Sequence, residues 1–333
     1  MAELSSSLRL LLPLLRSALW DIPLPEEDIA ALKAFGEREW GDLVLCAKEQ
    51  TVTGLLYLAL GKLPKDVGPS DAIILSLLAE VNRIVLRNRR MWAVEDRICS
   101  EFSSSGLNPL SMKGRTCAMR YPSPELRAAG DIDLYFAPAE FDAAVDYVRR
   151  SGADVRLTAD GSATYCIDGV DIDLHSRYFD LFSKEALLPP VPSPEAEVLM
   201  LSAHILKHAV GPGVGLRQIC DFALALRSCP SVREKLESLF EKLGLGKWHR
   251  LLLSFITEYI DPSAGVYSAD PRPLYRIVSH GGNFGHYAPS RINNAARHPL
   301  LSKADTFTRM ILRLPFSLKF APLYTLSRFK ELL

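Results

Sequence analysis

The chain has 333 residues, of which 48% are hydrophobic and 23% are charged. This balance predicts a folded protein with sizeable cores and excludes a disordered chain or a peptide-scale binder. The 39 basic and 39 acidic residues cancel, so no overall positive field points to a long nucleic acid as partner. Six scattered cysteines without a Cys-x-x-Cys pair argue against a zinc ribbon or a disulfide framework and predict reduced thiols in a cytoplasmic protein.

Residues 1–104 form the first predicted region, which is helical throughout. The opening stretch "MAELSSSLRLLLPLLRSALW" is apolar but contains Arg9 and Arg16, as is typical of an amphipathic helix and not of a signal peptide. Nowhere does the chain have an uncharged apolar run of roughly 18 residues, so we expect no membrane-spanning helix. The last helix of the region carries Arg83, Arg87, Arg89 and Arg90. These arginines form either a solvated face or a phosphate contact.

Residues 105–186 form the second predicted region, a small unit of strands and one helix. The candidate strands are "LNPLSM", "DIDLYF", "ADVRLT", "ATYCID" and "VDIDLH", and the helix is "PAEFDAAVDYVRRSG". Asp168-Gly169 separates the last two strands by the two-residue turn of a hairpin. The fold class is therefore predicted as α+β, with a small mixed or antiparallel sheet flanked by helical regions.

Residues 187–333 form the third predicted region, in which helical periodicity returns after a proline-rich linker. Ser193 is the expected N-cap and Pro194 the first helical position. The segment from residue 301 is basic and interleaved with apolar residues, its cations being Lys303, Arg309, Arg313, Lys319, Arg328 and Lys330. It is either a helix packed on the body or a contact for a membrane surface or a partner.

Two of the candidate strands carry acidic pairs. Side chains alternate along a strand, so Asp131 and Asp133 point to one side, as do Asp171, Asp173 and His175 on the other strand. Clustered carboxylates repel one another unless a cation binds between them. If the two strands are neighbours, the cluster predicts Mg²⁺ bound with substrate phosphates. A DxD pair on a solvated strand without chemical function is the alternative.

A resemblance to a known family rests on the stretch "LSMKGRTCAMRYPSPELRAAGDIDLYF" followed by a helix, a hairpin and "VDIDLH". It resembles the poorly characterised bacterial nucleotidyltransferase family of the DNA-polymerase-β-like superfamily. The matching residues, in order, are Lys113, Gly114, Tyr121, Pro122, Arg127, Asp131, Asp133, Asp173 and His175. The likeness is strongest over residues 105–180. The fold that it implies is a polymerase-β-like nucleotidyltransferase core.

The resemblance also implies roles for the acidic residues. Asp131 and Asp133 would bind two Mg²⁺ ions, with Mn²⁺ as the alternative metal. Asp173 would bind one ion and help to deprotonate an acceptor hydroxyl, so these three aspartates are the predicted catalytic and metal-binding residues. Asp171 lies outside the motif. His175 would contact nucleotide or acceptor, or would orient Asp173.

The resemblance assigns nucleotide binding to Lys113, Gly114 and Arg127. Lys113 would offer a point charge to phosphate and Arg127 a bidentate fork. One departure from the wider superfamily is that Arg115, in place of a small residue, follows Gly114.

The stretch "LMLSAHILKHAVGPGVGLRQICDFALAL" is similar to the family's helix with spaced histidines. His204 and His208 are one turn apart, but Ile205 stands where a zinc peptidase needs Glu. We predict that Lys207 and His208 form a wall of the nucleotide cleft, with plain helix packing as the alternative.

The predicted function is Mg²⁺-dependent transfer of a nucleoside monophosphate from a nucleoside triphosphate such as ATP. The acceptor would be a hydroxyl of a small molecule, a sugar, a peptide or a protein. Two alternatives stay open. One is a catalytically silent relative that binds a nucleotide or a partner, and the other is a phosphotransferase that uses the same metal site.

Overall fold

The computed structural model describes residues 6–158, 161–181, 187–280, 282 and 307–332. Its contacts group the chain into two compact units, one formed by Leu78–Phe179 and the other by Met1–Leu77 with Asp180–Leu333. The division into three regions at residues 104 and 186 stays a prediction. The fold class is α+β, as the sequence predicted.

The five predicted strands and the predicted helix after "DIDLYF" are present, and most of the other helices lie in the two regions that were predicted to be helical. The helices are α1 (Ser6–Trp20), α2 (Glu26–Lys33), α3 (Glu37–Glu49), α4 (Thr53–Leu60), α5 (Asp71–Ser104), α6 (Gly114–Ala118), α7 (Pro138–Arg150), α8 (Pro194–Val210), α9 (Leu216–Ser228), α10 (Arg233–Lys242), α11 (Gly246–Tyr259), α12 (Arg272–Ser279), α13 (Leu314–Phe320) and α14 (Pro322–Leu332). Residues 307–312 are also helical. The strands are β1 (Leu110–Met112), β2 (Ile132–Tyr135), β3 (Arg156–Leu157), β4 (Ala163–Ile167) and β5 (Val170–His175).

The sheet lies in the unit Leu78–Phe179 and has the strand order β1-β2-β5-β4-β3. β2 runs parallel to β5, and the other neighbouring pairs are antiparallel, so the sheet is mixed. The connection from β2 to β5 passes through α7, β3 and β4, which gives the chain the length that a parallel pair requires. The two strands with acidic pairs are thus direct neighbours.

One face of the sheet is apolar and the other is polar. Ile132 and Leu134 of β2 and Ile172 and Leu174 of β5 are buried on the apolar face. They share a hydrophobic core with α5 and α7, which contribute Met91, Val94, Ile98, Phe102, Phe141, Ala144, Val145 and Val148. Burying these side chains is the main force that holds the sheet against the two helices. It directs the alternate, acidic residues of the same strands to the opposite face.

A tight turn connects β4 to β5. Asp168 has φ 51° and Gly169 has φ 67°, and two consecutive positive φ values are the signature of the type I′ hairpin turn that the sequence predicted. Arg97 of α5 forms an ion pair of 2.5 Å with the Asp168 carboxylate. The turn therefore stays close to α5 while β5 carries its acidic residues along the polar face.

The arginine cluster of α5 binds neighbouring loops of the same unit. The Arg87 guanidinium donates to Gly130 O at 2.7 Å, and Arg89 forms two bonds of 2.9 Å with the Glu125 carboxylate. Between them lies Asn88, which is 1% exposed and donates to both Glu125 O (2.7 Å) and Arg127 O (2.8 Å). Three consecutive residues of α5 thus hold residues 125–130, the connector that leads into β2.

In the other unit, the N-terminal and C-terminal helices share buried contacts. Gln50 is 3% exposed, and its amide donates to Val278 O at 2.9 Å and accepts from the Leu216 amide at 3.0 Å. The Trp20 indole donates to Ile260 O at 2.8 Å. Because these partners lie more than 160 residues apart in sequence, the chain on either side of the sheet-bearing segment forms one helical body.

The basic C-terminal segment is partly packed on this body. Arg309 donates to Pro212 O at 3.1 Å, and Arg313 donates to His208 O (3.3 Å) and Ala209 O (2.9 Å), so both cations bind carbonyls near the C-terminal end of α8. This placement suits the negative end of a helix dipole. Lys303 and the side chain of Lys330 lie outside the described residues. Contact with a membrane surface or partner stays a prediction.

Two further sequence predictions concern α8 and membrane spans. The Ser193 hydroxyl caps α8 by accepting from the Ala196 amide at 3.1 Å, with Pro194 in the first turn, as predicted. Within the described part of the chain, no helix combines the length and apolar character needed to cross a membrane.

We expect Asn88→Leu to lower the free energy of unfolding by about 2 kcal/mol, because it leaves two buried carbonyls without their donor. The midpoint of urea denaturation measures this loss. Asn82→Leu is the matched control, since Asn82 is an exposed residue of the same helix, and its midpoint should stay close to that of the parent. Equal midpoints for both variants would show that the two hydrogen bonds from Asn88 to the connector are not needed for stability.

Candidate functional site

The parallel register of β2 and β5 brings the acidic residues together. Asp133 is paired with Asp173 across the two strands, so both side chains lie on the polar face. His175 follows on the same face of β5. Ligand atoms of Asp133, Asp173 and His175 all lie within 4.8 Å of one another. Two carboxylates and one imidazole thus converge on a single point.

Asp133 is the most buried member, with 7% of its surface exposed. Its Oδ1 lies 3.0 Å from Lys113 Nζ and 2.7 Å from His175 Nε2. Burial opposes ionisation of this carboxyl, but the nearby Lys113 ammonium and the bond from His175 outweigh it and hold the pKa of Asp133 well below its usual range. The site therefore contains a buried carboxylate that stays negative.

Lys113 reaches this carboxylate from a strained position. It follows β1 directly and has φ 48° and ψ −123°, a region that favours glycine and costs a residue with a side chain about 1–3 kcal/mol. The ammonium contact with Asp133 offsets that strain. A residue with a long cationic side chain in such a conformation is typical of a functional site.

Asp173 is in the opposite electrostatic situation. Burial, together with the negative charges of Asp131 and Asp133, raises its pKa to about 6, against the smaller opposing effects of His175 and Lys113. Near neutral pH this carboxylate can take up a proton, which is the property of a general base.

Asp131 lies directly before β2 and is exposed. Its side chain is not one of the three converging groups, although its charge acts on Asp173. Asp131, Asp171 and Asp173 line a groove of about 660 Å³, whose other wall includes Thr164 and Cys166 of β4. In the predicted cluster of aspartates, Asp133 is therefore buried and Asp131 is exposed.

Two further predicted nucleotide-binding residues, Gly114 and Arg127, lie on the chain between β1 and β2. Gly114 begins α6 with φ 29°, and a Cβ added there would be 3.8 Å from Asp131 O. Arg127 is buried at the end of a short 3-10 helix, where its carbonyl is held by Asn88. Arg115, the departure from the superfamily pattern, forms an ion pair of 2.5 Å with Asp96 of α5.

Lys207 and His208, also predicted to bind nucleotide, belong to the helical unit. The Lys207 ammonium donates to Asp180 Oδ1 at 2.9 Å. The His208 and His204 rings meet edge to face, with centroids 4.5 Å apart, and His204 Nδ1 lies 3.5 Å from Asp180 Oδ2. The nucleotide role of Lys207 and His208 stays a prediction.

The donor set fits a divalent metal ion. Carboxylate oxygens suit Mg²⁺ and Mn²⁺, and an imidazole nitrogen is a common ligand of transition metals. The Lys113 ammonium already pairs with the Asp133 carboxylate, so a metal ion that bound Asp133 would share that carboxylate with Lys113 or displace the ammonium from it. Among the described residues, Asp133, Asp173 and His175 form the one group of three or more such ligands that converges.

Sequence reasoning missed three residues of this neighbourhood. Ser162 lies 3.2 Å from His175 Nδ1, Asn88 holds the connector before β2, and buried Glu95 of α5 accepts a bond from the Ser111 hydroxyl. Burial raises the pKa of Glu95. Each reaches the site through the folding of distant segments, so spacing along the chain carries no signal for them.

The raised pKa of Asp173 predicts a pH dependence in the metal-free protein. Its carboxyl holds a proton more tightly when folded than unfolded, so its contribution to stability falls as pH rises from about 4 to about 6. After allowance for partial exposure we expect a loss of ~1–2 kcal/mol. Urea denaturation in a metal chelator, at pH values across this window, should show the loss in the parent and not in Asp173→Asn.

Asp171→Asn is the matched control, because it removes an exposed carboxylate from the same face of β5. The decline with pH should persist in this variant. A decline of the same size in Asp173→Asn as in the parent would contradict the electrostatic description of the site.

The buried pair of Lys113 and Asp133 predicts strong coupling. Lys113→Met should destabilise the protein by about 3 kcal/mol, because it leaves the Asp133 carboxylate buried without its ammonium partner. In the Asp133→Asn background the same change should cost much less, which gives a coupling energy of ~1–3 kcal/mol in a double-mutant cycle. The exposed pair of Arg149 and Asp146 on α7 is the control and should show little coupling. If the effects of the Lys113 and Asp133 substitutions on the free energy of unfolding were additive, the two side chains would not be energetically coupled and the prediction would be wrong.

The comparison with known proteins agrees with the resemblance of the sequence. A family model described as an uncharacterised nucleotidyltransferase matches residues 36–261, a range that includes the whole sheet and its converging carboxylates. No curated protein and no solved structure matches the chain. Because the family model covers well over half of the chain, this protein belongs to the uncharacterised nucleotidyltransferase family.

Proposed function

We propose that this protein transfers a nucleoside monophosphate from a nucleoside triphosphate to a hydroxyl group of an acceptor, with Mg²⁺ or Mn²⁺ as cofactor. The observation that carries the proposal is the convergence of Asp133, Asp173 and His175 across the parallel β2–β5 pair, beside an open groove. Membership of the family supports nucleotidyl transfer in general. The mixed sheet with its helical backing is consistent with a polymerase-β-like core, which we propose as the fold of this unit.

The metal would be held by Asp133 and Asp173, with Asp131 as the third carboxylate and His175 as a support that hydrogen-bonds Asp133. Bound there, divalent cations neutralise phosphate charge and position the reacting oxygens. The negative charges of Asp131 and Asp133 lie close enough to Asp173 to raise its pKa, which supports this assignment. Binding of a cation would relieve that repulsion.

In the proposed reaction, the acceptor hydroxyl attacks the α-phosphorus of the triphosphate. A bond forms between the acceptor oxygen and the α-phosphorus, and the bond from that phosphorus to the bridging oxygen breaks, which releases pyrophosphate. The hydroxyl proton would pass to the Asp173 carboxylate, which lines the groove. Most of the rate enhancement would come from positioning and charge stabilisation.

Positive charge for the triphosphate would come from Lys113 and Arg127. The Lys113 ammonium lies on the polar face of the sheet beside Asp133, and an ammonium there is a point charge that phosphate oxygens can share. The Arg127 guanidinium could supply a bidentate contact. Gly114 follows Lys113 directly and lies beside the Asp131 carbonyl.

The acceptor would bind in the groove beside Asp173. Its lining includes polar side chains such as Asp171 and Thr164, which suits a hydroxyl-bearing small molecule, sugar, peptide or protein side chain. The balanced net charge gives no support to a long nucleic acid. A cytoplasmic location is part of this proposal, supported by the six cysteines, which are all free thiols.

Labelled ATP tests the reaction. The protein would be incubated with Mg²⁺ and a panel of sugars, hydroxyl-bearing peptides and proteins, in parallel with α-labelled and γ-labelled ATP. Transfer of the α label with release of pyrophosphate is the expected result. Transfer of the γ label alone would show a phosphotransferase instead, and transfer of neither label to any acceptor would favour a silent binding relative.

Variants connect the activity to the cluster. Asp173→Asn should lower the transfer rate by about a hundredfold or more while the protein stays folded. Asp131→Ala combined with Asp133→Ala should abolish Mg²⁺-dependent ATP binding in calorimetry. Asp146→Asn, on the exposed surface of α7, is the control and should behave as the parent. Parent-like binding of Mg²⁺ and ATP by the double variant would show that the site is elsewhere.

A further inference from the structure

A chain of hydrogen bonds leads from the turn between β3 and β4 to the Asp133 carboxylate. Ser162 Oγ lies 3.2 Å from His175 Nδ1, and His175 Nε2 lies 2.7 Å from Asp133 Oδ1. Ser162 is buried, with 8% of its surface exposed. Both ring nitrogens of His175 therefore have side-chain partners within this unit.

The position of Ser162 is set by its own backbone. Its amide donates to Thr158 Oγ1 at 3.1 Å, and its carbonyl accepts from the Thr158 amide at 2.9 Å and from Thr158 Oγ1 at 3.1 Å. Three hydrogen bonds therefore join Ser162 to Thr158. They fix the main-chain position from which the Ser162 hydroxyl meets His175.

The partners also determine which ring nitrogen carries a proton. The ionised Asp133 carboxylate can only accept a hydrogen bond, so His175 Nε2 donates to it. A serine hydroxyl can donate, and it can therefore satisfy His175 Nδ1. The two contacts together select one tautomer and one orientation of the ring.

We propose that Ser162 is a positioning residue that holds the His175 imidazole with Nε2 toward Asp133, and so sets the geometry of the cluster before a metal ion binds. This inference rests on the proposed function, because it gives His175 and Asp133 their place around a divalent cation. Ser162 acts through His175. Loss of such an outer partner commonly weakens metal affinity by 10–100-fold.

Nitrogen NMR of the metal-free, full-length protein with ¹⁵N-labelled histidine tests the orientation directly. His175→Gln identifies the His175 signals. The parent should show the tautomer with the proton on Nε2. Ser162→Ala should shift the Nδ1 signal or mix the tautomers, and Ser162→Thr, which keeps the hydroxyl, should restore the parent pattern. An unchanged His175 spectrum in Ser162→Ala would overturn the proposal.

Binding of Mn²⁺ alone, measured by calorimetry, is the second readout. We expect about tenfold weaker binding in Ser162→Ala and binding close to the parent in Ser162→Thr. Ser151→Ala is the matched control, because the Ser151 hydroxyl donates to Val148 O at the end of α7 in the same unit, and it should change neither readout. Parent-like Mn²⁺ affinity in Ser162→Ala would count against the proposal.

The two readouts separate this inference from the proposed function. If the parent binds no Mn²⁺ and transfers no nucleotide, the proposed function fails, while the His175 spectrum still decides whether Ser162 orients the ring. If Ser162→Ala loses its fold by circular dichroism, Ser162→Cys takes its place, since a thiol is only a weak donor. A His175 spectrum in that variant identical to the parent's would equally overturn the proposal.

Discussion

The charge buried at Asp133 is the constraint on which the site depends. An isolated carboxylate in a protein interior would take up a proton or destabilise the fold, because its loss of hydration costs several kcal/mol. Here it stays ionised because Lys113 and His175 both contact the same oxygen. Each of those contacts requires a particular backbone, a strained turn after β1 in one case and the end of β5 in the other. The negative charge therefore determines the local geometry of three separate segments.

Two features of the same cluster, at Lys113 and Asp173, work against the stability of the folded chain. Lys113 adopts a backbone conformation that glycine would adopt with less strain, and Asp173 keeps a carboxylate close to two others, which raises its pKa to about 6. Neither feature stabilises the folded chain by itself. Under the proposed function, a bound cation and a polyanionic substrate would balance the charges of Asp173 and Lys113. Such local conflicts with simple folding rules are expected at functional sites and rarely elsewhere.

Support for the cluster comes from helix α5 as much as from the sheet. Its apolar residues pack under β2 and β5, whereas its polar residues Arg87, Asn88 and Arg89 bind the connector that ends at Asp131. Of the four arginines that the sequence left open between a solvated face and a phosphate contact, Arg87, Arg89 and Arg90 bind loops of their own unit, whereas Arg83 pairs with Glu80 of the same helix. Rigid support of this kind matters because charge stabilisation works through groups that are in place before the reaction begins.

Much of this fold follows from the sequence alone. Alternation along "DIDLYF" and "VDIDLH" predicted which residues enter the core and which lie on the polar face, and Asp168-Gly169 predicted the hairpin turn, because side-chain period and turn chemistry are local properties. Family membership was also predicted from the motifs between Lys113 and His175. Tertiary structure alone decided the parallel register that pairs Asp133 with Asp173, the bond from His175 to Asp133, and the places of Ser162 and Asn88. These depend on contacts between segments far apart in the chain, whose geometry is set by packing of the whole unit and leaves no periodic pattern in the sequence.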